Sequence, residues 1–123
     1  MPDLPVVLLL TDEPRIARAT ELLLRDWGYA TRVVAPGRNR NARLAAMPGL
    51  AGIVVDLLSV PFEQALCEAL ALRDAFDPRT PMIIHVDTMG DTATPVPAER
   101  VTIQLRSTDP DRIRIWLRRH ADA

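Results

Sequence analysis

Three carboxylates stand where three short apolar runs stop. Gly52-Ile53-Val54-Val55 ends in Asp56, residues 6–10 end in Thr11-Asp12-Glu13, and Met82–Val86 ends in Asp87-Thr88. Short, nearly unbroken runs rich in Val, Ile and Leu mark the strands of a parallel sheet buried on both faces. In an open α/β sheet, ligands are held just outside the carboxyl ends of the strands. Asp12, Asp56 and Asp87 therefore converge at one edge, and the chemistry on offer is that of carboxylates at a ligand-binding edge. Each acid also has a plainly structural role open to it. Asp56 can cap backbone groups at a strand end, Asp12 can cap the helix that begins at Pro14, and Asp87 can cap a helix or stand in a solvated loop. His85 alternates with Asp87 on one strand face; with no third ligand nearby it reads as a packed histidine.

The elements that position these acids follow from periodicity and punctuation. After the first strand, proline at Pro14 starts a helix, and Ile16, Ala19, Thr20, Leu23, Leu24 and Trp27 recur on one face of it. Gly28 ends that helix as a left-handed cap. Residues 29–35 form a second strand, and Arg32 with the turn pair Pro36-Gly37 marks it as an edge. Residues 38–47 form a short basic helix whose Arg38, Arg40 and Arg43 make a solvated face. The run ending in Asp56 is the third strand. Beyond Pro61 a helix carries Phe62, Ala65, Leu66, Ala69, Leu70 and Arg73, with Cys67 as an inert packed thiol. Met82–Val86 is the fourth strand, the Pro-containing segment 87–99 reads as loop, and Val101–Leu105 is the fifth strand. Asp109 and Pro110 open a last helix with Ile113, Trp116 and Leu117 facing inward. Right-handed crossovers turn this order into a parallel sheet with helices on both faces.

Composition narrows the function classes. The chain has 123 residues and a formal net charge of −1, which fits one domain and offers no global field for nucleic acid or an anionic membrane. All 15 basic residues are arginine, so a mechanism that needs lysine cannot run in its usual form. The one cysteine excludes an internal disulfide framework and fits a reducing compartment. No apolar run approaches the roughly 18–20 residues of a membrane span, and no signal-peptide pattern precedes Val6. The expectation is a soluble, cytoplasmic single domain spanning residues 1–123.

Four stretches in order resemble the receiver domains of response regulators, the CheY-like superfamily. Residues 7–14, Val-Leu-Leu-Leu-Thr-Asp-Glu-Pro, resemble its opening strand and acidic corner. Gly52-Ile53-Val54-Val55-Asp56-Leu57 resembles the strand with the phospho-accepting aspartate. Pro78-Arg79-Thr80-Pro81 resembles the approach to the fourth strand, and residues 105–111 the segment before the last helix. The resemblance implies a flavodoxin-like five-stranded parallel sheet of order 2-1-3-4-5, and a signalling domain that is not an enzyme. It implies Asp56 as phospho-acceptor, and Mg²⁺ held by Asp12, Asp56 and the Leu58 backbone carbonyl, with Glu13 as a further candidate ligand. Mg²⁺ takes oxygen ligands in near-octahedral geometry, and phosphoryl transfer beside it is positioning plus charge neutralisation.

Several positions depart from the family pattern. Thr11 replaces the first acid of the family's pair, and Arg106 replaces the lysine that meets the phosphoryl group. The switch hydroxyl position falls on Val86, with Thr88 two residues on, and the aromatic switch position falls on Ile103. Pro61 comes five residues after Asp56 where four is usual, and the fourth helix is replaced by the 87–99 loop. Asp87 adds a negative charge beside an incoming phosphoryl group.

Three functions are compatible with these residues. The first is an atypical receiver in two-component phosphorelay signalling, phosphorylated on Asp56 by a histidine kinase or phosphotransfer protein. The second is a phosphorylation-independent pseudo-receiver that serves as a docking or dimerisation module. The third, a flavodoxin-like small-molecule binder, lacks a Gly-rich phosphate loop. The expected partners are a histidine kinase or phosphotransfer protein and a second copy of the chain, joined through the Trp116 helix. No spare recognition helix points to DNA, and no membrane partner is expected.

Overall fold

The computed structural model describes residues 4–35, 50–75, 79–86, 100–105 and 111–120. Its elements run β1 (Val6–Thr11), α1 (Pro14–Asp26), β2 (Ala30–Val34), β3 (Leu50–Asp56), α2 (Phe62–Asp74), β4 (Met82–Val86), β5 (Val101–Leu105) and α3 (Asp111–His120). The five strands form one parallel sheet of order β2-β1-β3-β4-β5, as the resemblance implied. The expected helix at 38–47, the loop at 87–99 that was to replace a fourth helix, and the cap at Asp109-Pro110 lie outside the described residues.

Alternation along the strands builds two cores. Leu8, Leu10, Ile53, Val55, Met82 and Ile84 face α2, where Ala65, Ala69 and Leu72 meet them. Val7, Leu9, Val54 and Ile83 face the other way, against Leu24 of α1 and Trp116 and Leu117 of α3. The central strands are apolar on both faces because both faces are covered. β2, at the sheet edge, leaves Arg32 and Val33 exposed.

α1 begins at Pro14 and stops at Trp27, followed by Gly28 at φ +94°, the left-handed backbone that favours glycine. Its N-cap is Glu13, whose carboxylate accepts from the Arg15 N–H at 3.1 Å. Asp12 is therefore not the helix cap. In α2 the inward stripe is Ala65, Ala69, Leu72 and Arg73, which turns Cys67 outward; that thiol is exposed, not packed.

Trp116 faces inward, as its spacing in the last helix suggests, at 5% exposure, so it is not available on the face through which that helix was expected to join two copies. Its ring covers Gly52 on β3, and its indole N–H donates to the Thr102 hydroxyl of β5 at 3.3 Å. Trp27 at the end of α1 receives the Arg114 guanidinium over its ring at 6.0 Å, which ties α1 to α3. No helix among the described residues is long and apolar enough to cross a membrane.

Candidate functional site

β1 and β3 pair so that Thr11 lies level with Asp56 at the carboxyl edge of the sheet. Both residues are buried. The Thr11 hydroxyl accepts from the Glu13 N–H at 3.2 Å and so shapes the turn into α1. A hydroxyl thus does local backbone work where the family pattern has a carboxylate.

Asp12 reaches across the edge to the loop after β3. One carboxylate oxygen accepts from the Leu58 N–H at 2.9 Å, and the other accepts from the Ser59 N–H at 2.8 Å. Desolvation pushes this carboxyl up. The N–H groups of Leu58 and Ser59, the Ser59 hydroxyl and its own N–H outweigh that and hold it below the ordinary aspartate value. Two segments 46 and 47 residues apart in sequence are joined by a single side chain.

Asp56 meets His85. The last paired residues of β3 and β4 are Val55 and Ile84, and one step further along each strand stand Asp56 and His85. The Asp56 Oδ2 lies 3.5 Å from the His85 Nδ1, with the two side chains only 9% and 10% exposed. That distance is long for a hydrogen bond and within ion-pair range. His85 is thus not simply a packed histidine. Aligning the ends of the third and fourth apolar runs in the sequence would have placed it beside Asp56.

The two switch positions are apolar in place as well as in sequence. Val86 is buried in the cluster that includes Leu57 and Ala65, and Ile103 packs partly buried against the same cluster. Thr88, Asp87 and Arg106 lie outside the described residues. Leu58, implied as a carbonyl ligand, commits its N–H to Asp12 and leaves its side chain exposed.

By the resemblance, Asp12, Asp56 and the Leu58 carbonyl would hold a Mg²⁺ ion, which takes one or two carboxylates and keeps several waters. Here both oxygens of Asp12 accept backbone N–H groups, Asp56 faces an imidazole, and Glu13 caps α1. Among the described residues no three His, Cys, Asp or Glu side chains group to hold a metal.

No protein-family model matches the chain, and no curated protein does. Solved structures match over nearly its whole length. A sensor protein from Polaromonas sp. JS666 aligns with TM-score 0.76 and 23% identity over 96% of each chain. The receiver domain of a sensor histidine kinase from Pseudomonas aeruginosa PAO1, solved with a magnesium ion in its active site cleft, aligns with TM-score 0.71. It is 22% identical, over 99% of this chain and 100% of that one. The chemotaxis protein CheY4 of Vibrio cholerae aligns with TM-score 0.70 and 18% identity, over 95% of this chain and 98% of that one. With its strand order and the three helices among the described residues lying on two faces of the sheet, the chain has the CheY-like fold of response regulator receiver domains.

Proposed function

We propose that this chain is an atypical receiver domain of two-component signalling that works by protein contact, without phosphoryl transfer and without enzymatic activity of its own. Its partners are a histidine kinase or a phosphotransfer protein, and its compartment is the cytoplasm, which the single cysteine suits. The observation that carries this reading is the internal engagement of both acids at the sheet edge, Asp12 by backbone N–H groups and Asp56 by His85. Switching requires an element that a modification biases between two states. Val86 and Ile103 fill the places of such an element with apolar packing.

A second reading keeps phosphorylation, because Asp56 still stands at the carboxyl end of β3, level with Thr11. Incubation with acetyl phosphate and Mg²⁺, followed by intact mass, decides between the two. The expected result is no adduct under conditions that label an ordinary receiver. An adduct that disappears in Asp56→Asn selects the phosphorylated receiver and ends the first reading.

A further inference from the structure

We propose that copies of this chain associate head to tail, the outer face of α1 on one copy lying antiparallel along the outer face of α2 on the next. α1 turns Arg15, Arg18, Ala19, Leu22 and Arg25 to solvent, with Leu22 54% exposed. α2 turns Glu63, Cys67, Ala71 and Asp74 outward. Both rows recur at helical spacing, and each runs the length of a 13-residue helix, about 20 Å. The α1 row is basic at its ends with an apolar centre. The α2 row is acidic at its ends with a centre of small side chains, and no base stands among its acids because Arg73 is buried. Among the described residues, none of Arg15, Arg25, Glu63 and Asp74 forms an ion pair within its own chain.

Two of these charges stand at the wrong end of their own helix. Arg15 is in the first turn of α1, where the dipole disfavours a cation, and Asp74 ends α2, where it disfavours an anion. An antiparallel contact sets Arg15 against Asp74 and Arg25 against Glu63, so each misplaced charge gains an opposite one. Between those pairs, Ala19 and Leu22 come against Ala71 and Cys67, small side chains that let two helices approach closely. α1 and α2 cover opposite faces of the sheet, so the two rows cannot meet within one chain. The contact joins unlike faces, and each added copy leaves one row of each kind free, so assembly does not stop at two. A net charge of −1 sets no general repulsion against it. A single helix crossing buries far less than the roughly 1,600 Å² of a standard complex, which makes the contact weak, with a Kd of about 0.1–1 mM. Neither Asp12 nor Asp56 takes part, so the contact holds with or without phosphorylation.

The test is the weight-average mass by sedimentation equilibrium, in low salt and at protein concentrations up to about 1 mM. The wild type should pass twice 13.7 kDa as concentration rises, and should return to 13.7 kDa in about 1 M salt, where charges are screened almost at contact. Arg15→Gln with Arg25→Gln removes the end charges of α1, and Glu63→Gln with Asp74→Asn removes those of α2. Each double variant alone should stay at 13.7 kDa. Mixed in equal amounts they should associate again, because one keeps its α2 row and the other its α1 row, and should go no further than twice 13.7 kDa. All four substitutions replace exposed side chains, and an unchanged circular dichroism spectrum reports that the variants are folded.

A wild type that stays at 13.7 kDa in low salt overturns the inference, and so does one that stops at twice that mass, the mark of a two-fold contact between like faces. An oligomer that persists in either double variant lies on another face and overturns it as well. So does a mixture of the two variants that stays at 13.7 kDa, because a head-to-tail contact needs only one row from each partner.

Discussion

At the scale of single residues, the acids were legible and their partners were not. Asp12 and Asp56 announce themselves because each ends an apolar run. What Asp12 does is decided by two N–H groups 46 and 47 residues away, and what Asp56 does is decided by strand register. No periodicity within a window reports either. The Asp12 bridge has a measurable signature. Its carboxyl is held below the ordinary value of 3.8, so the unfolded chain takes up the proton at a higher pH than the folded one. The bridge then contributes in full above that value, and its contribution is lost as pH falls through the lower, folded value. Asp12→Ala should cost about 1 kcal/mol near neutral pH, the bonds being charge-assisted but close to solvent. Urea unfolding of both proteins should show a constant gap from neutral pH down to about pH 5 that closes below about pH 4. A gap that widens in acid, or no gap at neutral pH, would show that the bridge does not hold the two loops together.

At the scale of elements, most of the sheet was readable, because a strand buried on both faces has little but apolar residues to show. β4 and β5 have the bounds the sequence suggests, and β1 extends one residue further, to Thr11. The errors fall where an element's face depends on what packs on it. Cys67 sits just off the stripe of Ala65, Ala69, Leu72 and Arg73, and the sequence alone did not say which side of α2 the sheet would cover. Trp116 was legible as an inward residue, but its seat on Gly52 was not. A Cβ on Gly52 would lie 3.1 Å from the Trp116 ring and 3.6 Å from the Pro81 carbonyl. Glycine at this strand position lets α3 close on β3. Gly52→Ala should therefore destabilise the domain by about 1–3 kcal/mol through overpacking. Trp116→Ala should cost about 3–5 kcal/mol through the cavity it leaves. Because the two residues touch, the double variant should cost less than the sum of the two singles. Chemical denaturation of the three variants measures this directly, and strict additivity would mean that the ring does not rest on Gly52.

At the scale of the whole molecule, charge is spread unevenly. The net charge is −1, yet α3 alone exposes Arg112, Arg114, Arg118 and Arg119 around the half-exposed Ile115. Arginines in the last turn suit the helix dipole, which explains Arg118 and Arg119 without any partner. The same row constrains self-association. A two-fold dimer puts one patch against its own copy, so joining two chains along α3 would bring arginine against arginine. Such repulsion is strongest when little salt is present to screen it. With Trp116 buried, Ile115 is the large apolar residue left on that face, too little to offset the opposed charges. Light scattering at low ionic strength should therefore return no dimer built on α3, and Ile115→Asp should leave the solution mass unchanged. A mass of twice 13.7 kDa that falls to 13.7 kDa in Ile115→Asp would put the dimer on α3 after all. Should a dimer persist in Ile115→Asp, its contact lies on another face, and the arginine row stays free for an unlike, acidic surface.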